Sequence, residues 1–508
     1  MILLLLACAG TGSIDPVVVD DSGGPVSDDS AAPPDPRCEL PATLAGGDFV
    51  EGDEVVVDLS CATGEPGFEF AGLDLPAGAT LTEAQLRWTT GLDQAGRHTL
   101  FFTAHNGEGL PETASLQVDI ADAWDDRDNE PVDPALYVEE MGLPVLHLDP
   151  RGSVGDSYVD ATITFEGHSY SASMKKRGAA SSYYPKVGYT LDFETEQLDL
   201  SDFDMGNKAH LVLISTFDDN SYVRQKLAYD VWAAMAAHSG EERLTPRTFF
   251  VVVYLDGVYH GLYVACDHID DEFFQQFGFD RASDVYKAVS HDANFYNTDA
   301  NGNQKYSWHQ GYEQKEGTSW DALDSLVEYA ASTGSQDFVD SASDWIVPEE
   351  FMDWFIFVHF LAADDSAGKN CYLYYDPATG QMRFVPWDFN HAWGQTWQTD
   401  RESSSSYNDY NWNNRIFYHQ QRRDGDRLWA RWFDYLDGPL SEPALIDLLD
   451  SYYAQIDPAA RRDWDKWGSQ YRSYSGWSWR NNWTDYDGER DYLYQWVRER
   501  VEWGTTDH

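Results

Sequence analysis

One segment, residues 351–394, constrains the fold and chemistry of this chain more than any other part. Apolar residues recur there at helical spacing, after a proline expected in the first helical turn: Pro348, Phe351, Trp354, Phe355, Val358 and Leu361. Two aromatic and apolar runs follow, 372–375 and 382–387, with the turn-forming residues 376–380 between them. The pattern predicts a helix that leads into a β-hairpin.

Acidic and amide side chains lie at the ends of this hairpin. Asp365 lies in the loop after the helix, Asn370 precedes the first strand, and Asp388 follows the second. Since the first and last residues of a hairpin face each other, we expect Asn370 and Asp388 to lie side by side, with Asp365 one loop away. Three converging oxygen-bearing side chains suit a hard divalent cation and a general base. The alternative is an ordinary helix–hairpin unit with solvated loop acids.

The order of these residues is similar to that of the catalytic and metal-binding residues of protein kinases, and it more closely resembles the CotH (spore coat protein H) kinase family. The shared pattern is Asp365 followed by Asn370, then the P-W-D-F motif in 386–390. The resemblance implies that Asp365 is catalytic and that Asn370, Asp388 and Asn390 hold a metal ion. Asn390 stands where the family usually has a second Asp, which removes a negative charge from the expected metal shell.

Other elements resemble the same family over residues 137–508. The stretch 175–186 is similar to its R-G-N-S-S and P-K elements, which implies that Arg177 and Lys186 contact the phosphates of ATP; a surface position is the alternative for Lys186. Arg224, in a predicted helix, is also expected to bind the nucleotide, or to pair with a carboxylate or face water. Asp267 replaces the Glu that usually follows a hairpin in this family. The implied cofactors are ATP and Mg²⁺, or Ca²⁺ or Mn²⁺.

The N-terminal third indicates a different organisation. Residues 1–8 resemble a bacterial lipobox that ends in Cys8, which implies a lipid anchor, although the apolar run is too short to span a bilayer. Residues 9–36 are rich in Asp, Ser, Pro and Gly and predict a disordered tether. Residues 37–121 resemble an immunoglobulin-like sandwich in which Cys38 and Cys61 either form a disulfide or remain free thiols. The expected fold class is therefore α+β: a kinase-like CotH domain preceded by a small all-β sandwich.

Composition limits the partners of this chain. A net charge of −53, from 87 acidic and 34 basic residues, argues against binding nucleic acid or an anionic membrane surface, so membrane attachment is expected only through Cys8. Twelve of the 20 Trp lie between residues 393 and 503. They predict either a packed helical lobe or a face that binds carbohydrate or peptide. Cys266 and Cys371, on elements beside the expected site, are compatible with either a disulfide or free thiols.

These expectations combine into an extracytoplasmic protein kinase, anchored at the bacterial outer membrane or cell surface. It would transfer the γ-phosphate of ATP to hydroxyl groups of an envelope or extracellular protein. One alternative is a non-catalytic adhesion or assembly protein with the same fold. The other is an ATP-dependent transferase that moves a nucleotidyl group or an amino acid.

Overall fold

The computed structural model describes residues 48–59, 69–73, 75–82, 84–91, 94–105, 112–121, 131–193, 195–407, 410–477 and 484–506. The predicted lipobox with Cys8, the tether, and the cysteines Cys38 and Cys61 lie outside the described residues.

The N-terminal unit consists of two small sheets that face each other. Its strands are β1 (Asp48–Val50), β2 (Glu54–Asp58), β3 (Glu69–Leu73), β4 (Ala79–Thr82), β5 (Gln85–Thr89), β6 (Gly96–His105) and β7 (Glu112–Ala121). One sheet has the order β1-β7-β6-β3 and the other β2-β5-β4. Alternate residues of the two sheets, among them Trp88, Phe102 and Val118, form one apolar core. The expected all-β sandwich is present, and its immunoglobulin-like character stays a prediction.

The central unit is a ring of strands closed on itself. Its elements are β8 (Glu139–Glu140), β9 (Leu143–Pro150), β10 (Val159–Phe165), β11 (His168–Arg177), β12 (Gly188–Asp192), β13 (Leu198–Leu200), β14 (Gly206–Lys208), β15 (His210–Ile214), α1 (Arg224–Ser239), β16 (Thr248–Leu255) and β17 (Val258–Asp267). Strands β9-β10-β11-β12-β15-β17-β16 pair in sequence, and β16 returns to β9 as a parallel neighbour. Val251 and Val253 fill the interior, whereas Val252 between them faces the outer core that contains α1. The β16–β17 turn has positive φ at Asp256 and Gly257, as expected for Asp-Gly in a tight hairpin.

The next unit confirms the predicted helix and hairpin. It comprises α2 (Asp271–Gln276), β18 (Val285–Ala288), β19 (Tyr312–Glu316), α3 (Asp321–Ser332), α4 (Ser335–Asp340), α5 (Pro348–Leu361), β20 (Cys371–Asp376) and β21 (Gln381–Pro386). The strands form an antiparallel sheet in the order β19-β18-β20-β21. Helix α5 is buried from Glu350 to Leu361 because the ring, the sheet and the later helices pack around it.

The C-terminal region is helical and completes the same core. Its helices are α6 (Arg415–Arg423), α7 (Gly425–Leu436), α8 (Glu442–Ser473) and α9 (Tyr486–Gly504). Trp393, Trp432 and Trp496 are buried in this core, which supports the packed-lobe interpretation for these residues, whereas Trp397 and Trp412 are exposed. The α+β class is confirmed. Among the helices that the structure describes, none is both long enough and apolar enough to cross a bilayer.

Candidate functional site

The β20–β21 hairpin positions Asn370 and Asp388 at its open end. Cys371 pairs with Pro386, and the backbone N–H of Trp387 donates to the carbonyl of Asn370 at 3.2 Å. Asn370 therefore faces Trp387, and Asp388 comes one residue later, which corrects the expected direct pairing of Asn370 with Asp388. Both residues have left-handed backbone conformations, with φ of 57° at Asn370 and 62° at Asp388, which Asn and Asp tolerate better than most residues. The chain leaves the sheet at both positions.

Asp365 lies in direct contact with Asn370. The Asn370 Nδ2 donates to Asp365 Oδ2 at 2.9 Å, while Lys369 Nζ and His291 Nε2 lie 2.9 and 3.3 Å from Asp365 Oδ1. Burial alone would raise the pKa of Asp365, but the hydrogen bond from His291 and the charge of Lys369 outweigh burial and hold this pKa below its ordinary value. Asp365 is therefore an ionised hydrogen-bond acceptor at neutral pH.

A second group of polar side chains lies behind Asp388. The Asp388 carboxylate is exposed and makes no hydrogen bond or ion pair within the described part of the chain. Asn390 is buried and donates to Asp218 Oδ2 at 2.6 Å, and His391 Nε2 lies 3.2 Å from the same oxygen. Burial alone would lower the pKa of His391, but the hydrogen bond to Asp218 and the charges of Asp218, Asp388 and Asp365 raise it. Both predicted carboxylates thus act on one imidazole.

The chemistry of these side chains fits a hard divalent cation. Asn390 Oδ1 and Asp364 Oδ1 are buried without hydrogen-bond partners among the described residues. Buried oxygens without partners are uncommon in folded proteins, and a cation is one way to satisfy them. Together with Asp388, Asn370 and Asp218 they provide carboxylate and amide oxygens, the ligands that Mg²⁺ and Ca²⁺ prefer.

The side chains of Arg177 and Lys287 lie near the ring of Trp387, the residue before Asp388. The Arg177 guanidinium lies 5.4 Å and the Lys287 Nζ 5.7 Å from the centre of the Trp387 ring. Neither forms an ion pair with a carboxylate within the described residues. Burial, assisted by the charge of Arg177, lowers the pKa of Lys287 to about 8, and Asp388 opposes this shift. Arg177 and Lys287 thus both lie beside the end of the hairpin. The contact of Arg177 with the phosphates of ATP stays a prediction.

Lys186 is buried in an ion pair. Its Nζ lies 2.5 Å from Asp463 Oδ2 on α8 and donates to the carbonyl of Leu262 at 2.5 Å, so two of its three donors are engaged. Gly261 has φ of 143°, and a Cβ at this position would collide with the Asp463 carboxylate, so glycine is needed for this close approach. The contact between Lys186 and ATP stays a prediction.

Arg224 pairs with carboxylates, which is the alternative to nucleotide binding that its sequence context left open. Its guanidinium is fully buried, with Nη1 2.6 Å from Asp219 Oδ1 and Nη2 2.6 Å from Glu489 Oε1 on α9. Arg401 approaches the same Glu489 at 2.7 Å. Because two carboxylates enclose this guanidinium away from solvent, its placement corrects the expected phosphate contact. Arg224 joins the start of α1 to α9.

Several other residues have positions that their sequence context left open. Asp267 is buried and paired with Lys208 and with Arg247, the latter at 2.8 Å, so it stabilises the fold around β17. His359 is buried and stacks on Phe355. Cys266 and Cys371 are buried free thiols, and burial raises the pKa of each.

Sequence reasoning missed Lys287, His391, His291, Lys369 and the contact of Asp218 with the site. Lys287 had a detectable signal, since it is a lone charge in the apolar run 285–289 and one of few lysines in an acidic chain. His391 had a positional signal, since it comes two positions after the P-W-D-F motif. His291 had no local signal, because a separate loop brings it to Asp365.

Comparison with known proteins adds family information. Residues 174–504 match the family model of the CotH kinase protein. The chain is 24% identical over 277 residues to the inner spore coat protein H of Bacillus subtilis (strain 168); the match covers 54% of this chain and 65% of that protein, just under two thirds. An endo-fucoidan hydrolase of glycoside hydrolase family 107 is 14% identical with a TM-score of 0.16, over 31% of this chain and 26% of the hydrolase. The human desmocollin-1 ectodomain is 12% identical with a TM-score of 0.15, over 31% and 35%. Structural similarity this low carries no information on fold or function.

Proposed function

Because this chain belongs to the CotH kinase protein family, we propose that it is a metal-dependent protein kinase that transfers the γ-phosphate of ATP to protein hydroxyl groups. The observation that carries the proposal is the arrangement at the hairpin. Asp365 is held ionised beside Asn370, and Asp388 follows the second strand at the same open end of the hairpin, without a partner among the described residues. Phosphoryl transfer depends mainly on positioning and electrostatic stabilisation, which such an arrangement can supply.

Each residue has a defined function in this proposal. Asp365 accepts the hydrogen bond of the substrate hydroxyl and orients its oxygen for attack. Asn370, Asp388 and Asn390, with Asp218, would hold Mg²⁺ (or Ca²⁺ or Mn²⁺), which when bound neutralises phosphate charge.

We assign the phosphate contacts to Arg177 and Lys287, the two cations near the Trp387 ring. Arg177 and Lys287 lie beside Asp388 without a carboxylate of their own, so they are available to the phosphates of ATP. Arg177 can engage two phosphate oxygens at once, whereas Lys287 acts as a point charge. Lys186, from the same family element as Arg177, would contribute its remaining donor.

The substrate is proposed to be a protein of the cell envelope or exterior. The Bacillus relative is a spore coat protein by name, which supports an extracytoplasmic location. The net charge of −53 disfavours nucleic acid as a partner. Anchoring would depend on a lipid at Cys8.

The decisive experiment uses ATP labelled at either the γ or the α position, with purified full-length protein and Mg²⁺. We expect γ-label in protein, lost in Asp365→Asn and Asp388→Ala. The control is Asp447→Ala on α8, which removes another exposed carboxylate without a described partner. Protein-bound α-label would instead indicate nucleotidyl transfer. Absence of both labels, together with no ATP-dependent thermal shift, would indicate a non-catalytic adhesion or assembly protein.

A further inference from the structure

A cluster of two histidines and an aspartate lies outside the candidate kinase site. His210 begins β15, His268 follows β17, and Asp270 is the N-cap residue of α2. The Nδ1 atoms of His210 and His268 lie 2.8 and 3.0 Å from the same oxygen, Asp270 Oδ2. One ligand atom from each of the three residues lies within 4.8 Å of the other two. The cluster shares no residue with the kinase site.

We propose that His210, His268 and Asp270 bind a divalent transition-metal ion of the zinc type. Two imidazole nitrogens and one carboxylate oxygen form a donor set that Zn²⁺ takes in proteins, with the fourth position open to water. Tetrahedral ligands about 2.0 Å from Zn²⁺ are roughly 3.3 Å apart. The two nitrogen–oxygen separations of 2.8 and 3.0 Å are close to that value, so small side-chain movements would admit the ion.

Neighbouring groups lie where they can orient two of the three ligands. Asp192, which pairs with His210 across β12 and β15, places its Oδ1 3.6 Å from His210 Nε2. This carboxylate can hold the second ring nitrogen of His210 as a donor while Nδ1 binds the metal, an arrangement common in zinc sites. Asp270 Oδ1 accepts the backbone N–H of Phe273 at 3.1 Å, which leaves Oδ2 directed at the imidazoles.

Exposure and ligand type favour zinc over magnesium at this cluster. The side chains of His210 and His268 are 31% and 35% exposed, so an ion and its water ligand can enter. Imidazole binds Zn²⁺, whereas Mg²⁺ requires oxygen ligands, so the two predicted metal sites differ in selectivity. Bound Zn²⁺ would join β15 and the end of β17 to α2, and it would stabilise the folded state because the unfolded chain does not hold these ligands together.

The protein contains a matched control for this proposal. His309 Nδ1 lies 2.8 Å from Asp324 Oδ1, and its side chain is 32% exposed, but no second histidine joins this pair in the described structure. A histidine–carboxylate pair of this kind has only two ligands. His309→Gln therefore removes a comparable ion pair without touching the proposed zinc site.

The test uses untagged full-length protein, freed of metal with EDTA and checked by elemental analysis, then titrated with ZnCl₂ by calorimetry. We expect one equivalent of Zn²⁺ bound by the natural protein, by His309→Gln and by Asp388→Ala. His210→Gln and His268→Gln should each lose it. Asp192→Asn should weaken Zn²⁺ binding about tenfold, the usual size of an effect on a residue that orients a ligand. Asp270→Asn keeps a helix-capping side chain but removes the ligand charge, and should also lose tight binding.

Zn²⁺ should raise the melting temperature of the natural protein and leave that of His210→Gln unchanged, whereas any shift caused by excess Mg²⁺ should be the same in both proteins. EDTA-treated His210→Gln and natural protein should melt alike, which shows that the variant is folded.

Should the histidine variants fail this check, the natural protein alone decides: Co²⁺ should produce the strong visible absorption of a four-coordinate site, and Asp388→Ala should retain it. No bound Zn²⁺ and no Co²⁺ spectrum, or unchanged Zn²⁺ binding in folded His210→Gln, would overturn the proposal. This inference and the proposed function can fail independently. Kinase activity without Zn²⁺ binding would contradict only this inference, and Zn²⁺ binding without kinase activity would contradict only the proposed function.

Discussion

The basic side chains that the sequence or the structure suggests for phosphate binding form two groups with opposite environments. Arg224 and Lys186 are buried and paired with carboxylates on α9 and α8, namely Glu489 and Asp463. Arg177 and Lys287 lie at the open end of the hairpin sheet without a carboxylate partner in the described chain. In a protein with 87 acidic and 34 basic residues, most cations can find a carboxylate within the fold. A polyanion can bind without competition only the cations that have no carboxylate partner.

The difference has an energetic reason. A buried charge is expensive to leave unpaired, so the fold encloses Arg224 and Lys186 with acids that neutralise them. Arg177 and Lys287 lack such acids within the described ranges, and the lowered pKa of Lys287 reflects the cost of leaving its charge without one. Stability should therefore depend mainly on the first group and ligand affinity mainly on the second, apart from the one remaining donor of Lys186.

The largest effect is expected at the buried group. Arg224→Ala leaves Asp219 and Glu489 without their shared cation, and we expect the free energy of unfolding to fall by about 3–5 kcal/mol. Chemical denaturation checks this value. Arg177→Ala is the control and should change stability by less than about 0.5 kcal/mol. Equal destabilisation by the two substitutions would contradict the contrast between the groups.

The next largest effect concerns catalysis at the open end. Asp388→Ala should lower the rate of γ-phosphate transfer by about 10²-fold or more, because it removes a carboxylate proposed to hold the metal ion that neutralises phosphate charge. The melting temperature should fall only slightly, since the Asp388 side chain is exposed but Ala tolerates its left-handed backbone conformation less well than Asp does. Rates with and without Mg²⁺, compared with Asp447→Ala, measure the effect. A variant with full activity would show that Asp388 has no part in the reaction.

A smaller effect is expected on nucleotide affinity. Arg177→Ala and Lys287→Ala should each weaken Mg²⁺–ATP binding about tenfold, the loss expected for one charge-assisted contact of roughly 1.4 kcal/mol. Calorimetric titration provides the measurement. Lys315 on the neighbouring strand β19 is paired with Glu313, and Lys315→Ala should leave the affinity unchanged. If only Lys315→Ala weakened binding, the phosphate contacts would be assigned incorrectly.

The smallest effect is a pH dependence of that affinity. The pKa of Lys287 is lowered to about 8, so the side chain is charged at pH 7 and mostly neutral at pH 9. ATP affinity should therefore fall several-fold as the pH rises through 8. Lys287→Arg keeps its charge over this range and should give a flat profile between pH 7 and 9. A profile that is the same in both proteins would assign the titration to another group.

Local signals predicted the individual elements well. Helix α5 begins at Pro348, the hairpin turns within 376–380, and Asp256-Gly257 forms the β16–β17 turn, because each is specified by residues close together in the chain. The predicted partner of Asn370 was wrong by one residue, because the carbonyl of Asn370 bonds to the backbone N–H of Trp387 rather than pairing with Asp388. This pairing depends on the register of the two strands.

The sequence by itself determined the order Asp365, Asn370, Asp388 and placed these residues around one hairpin, because turn chemistry and hydrophobic spacing act over a few residues. Only the tertiary structure decided which cations face that hairpin. Arg224 meets Glu489 across 265 positions and Lys186 meets Asp463 across 277, and such pairings depend on helix packing rather than on local pattern. The same reason applies to His210, which the pairing of β15 with β17 brings to His268 and Asp270.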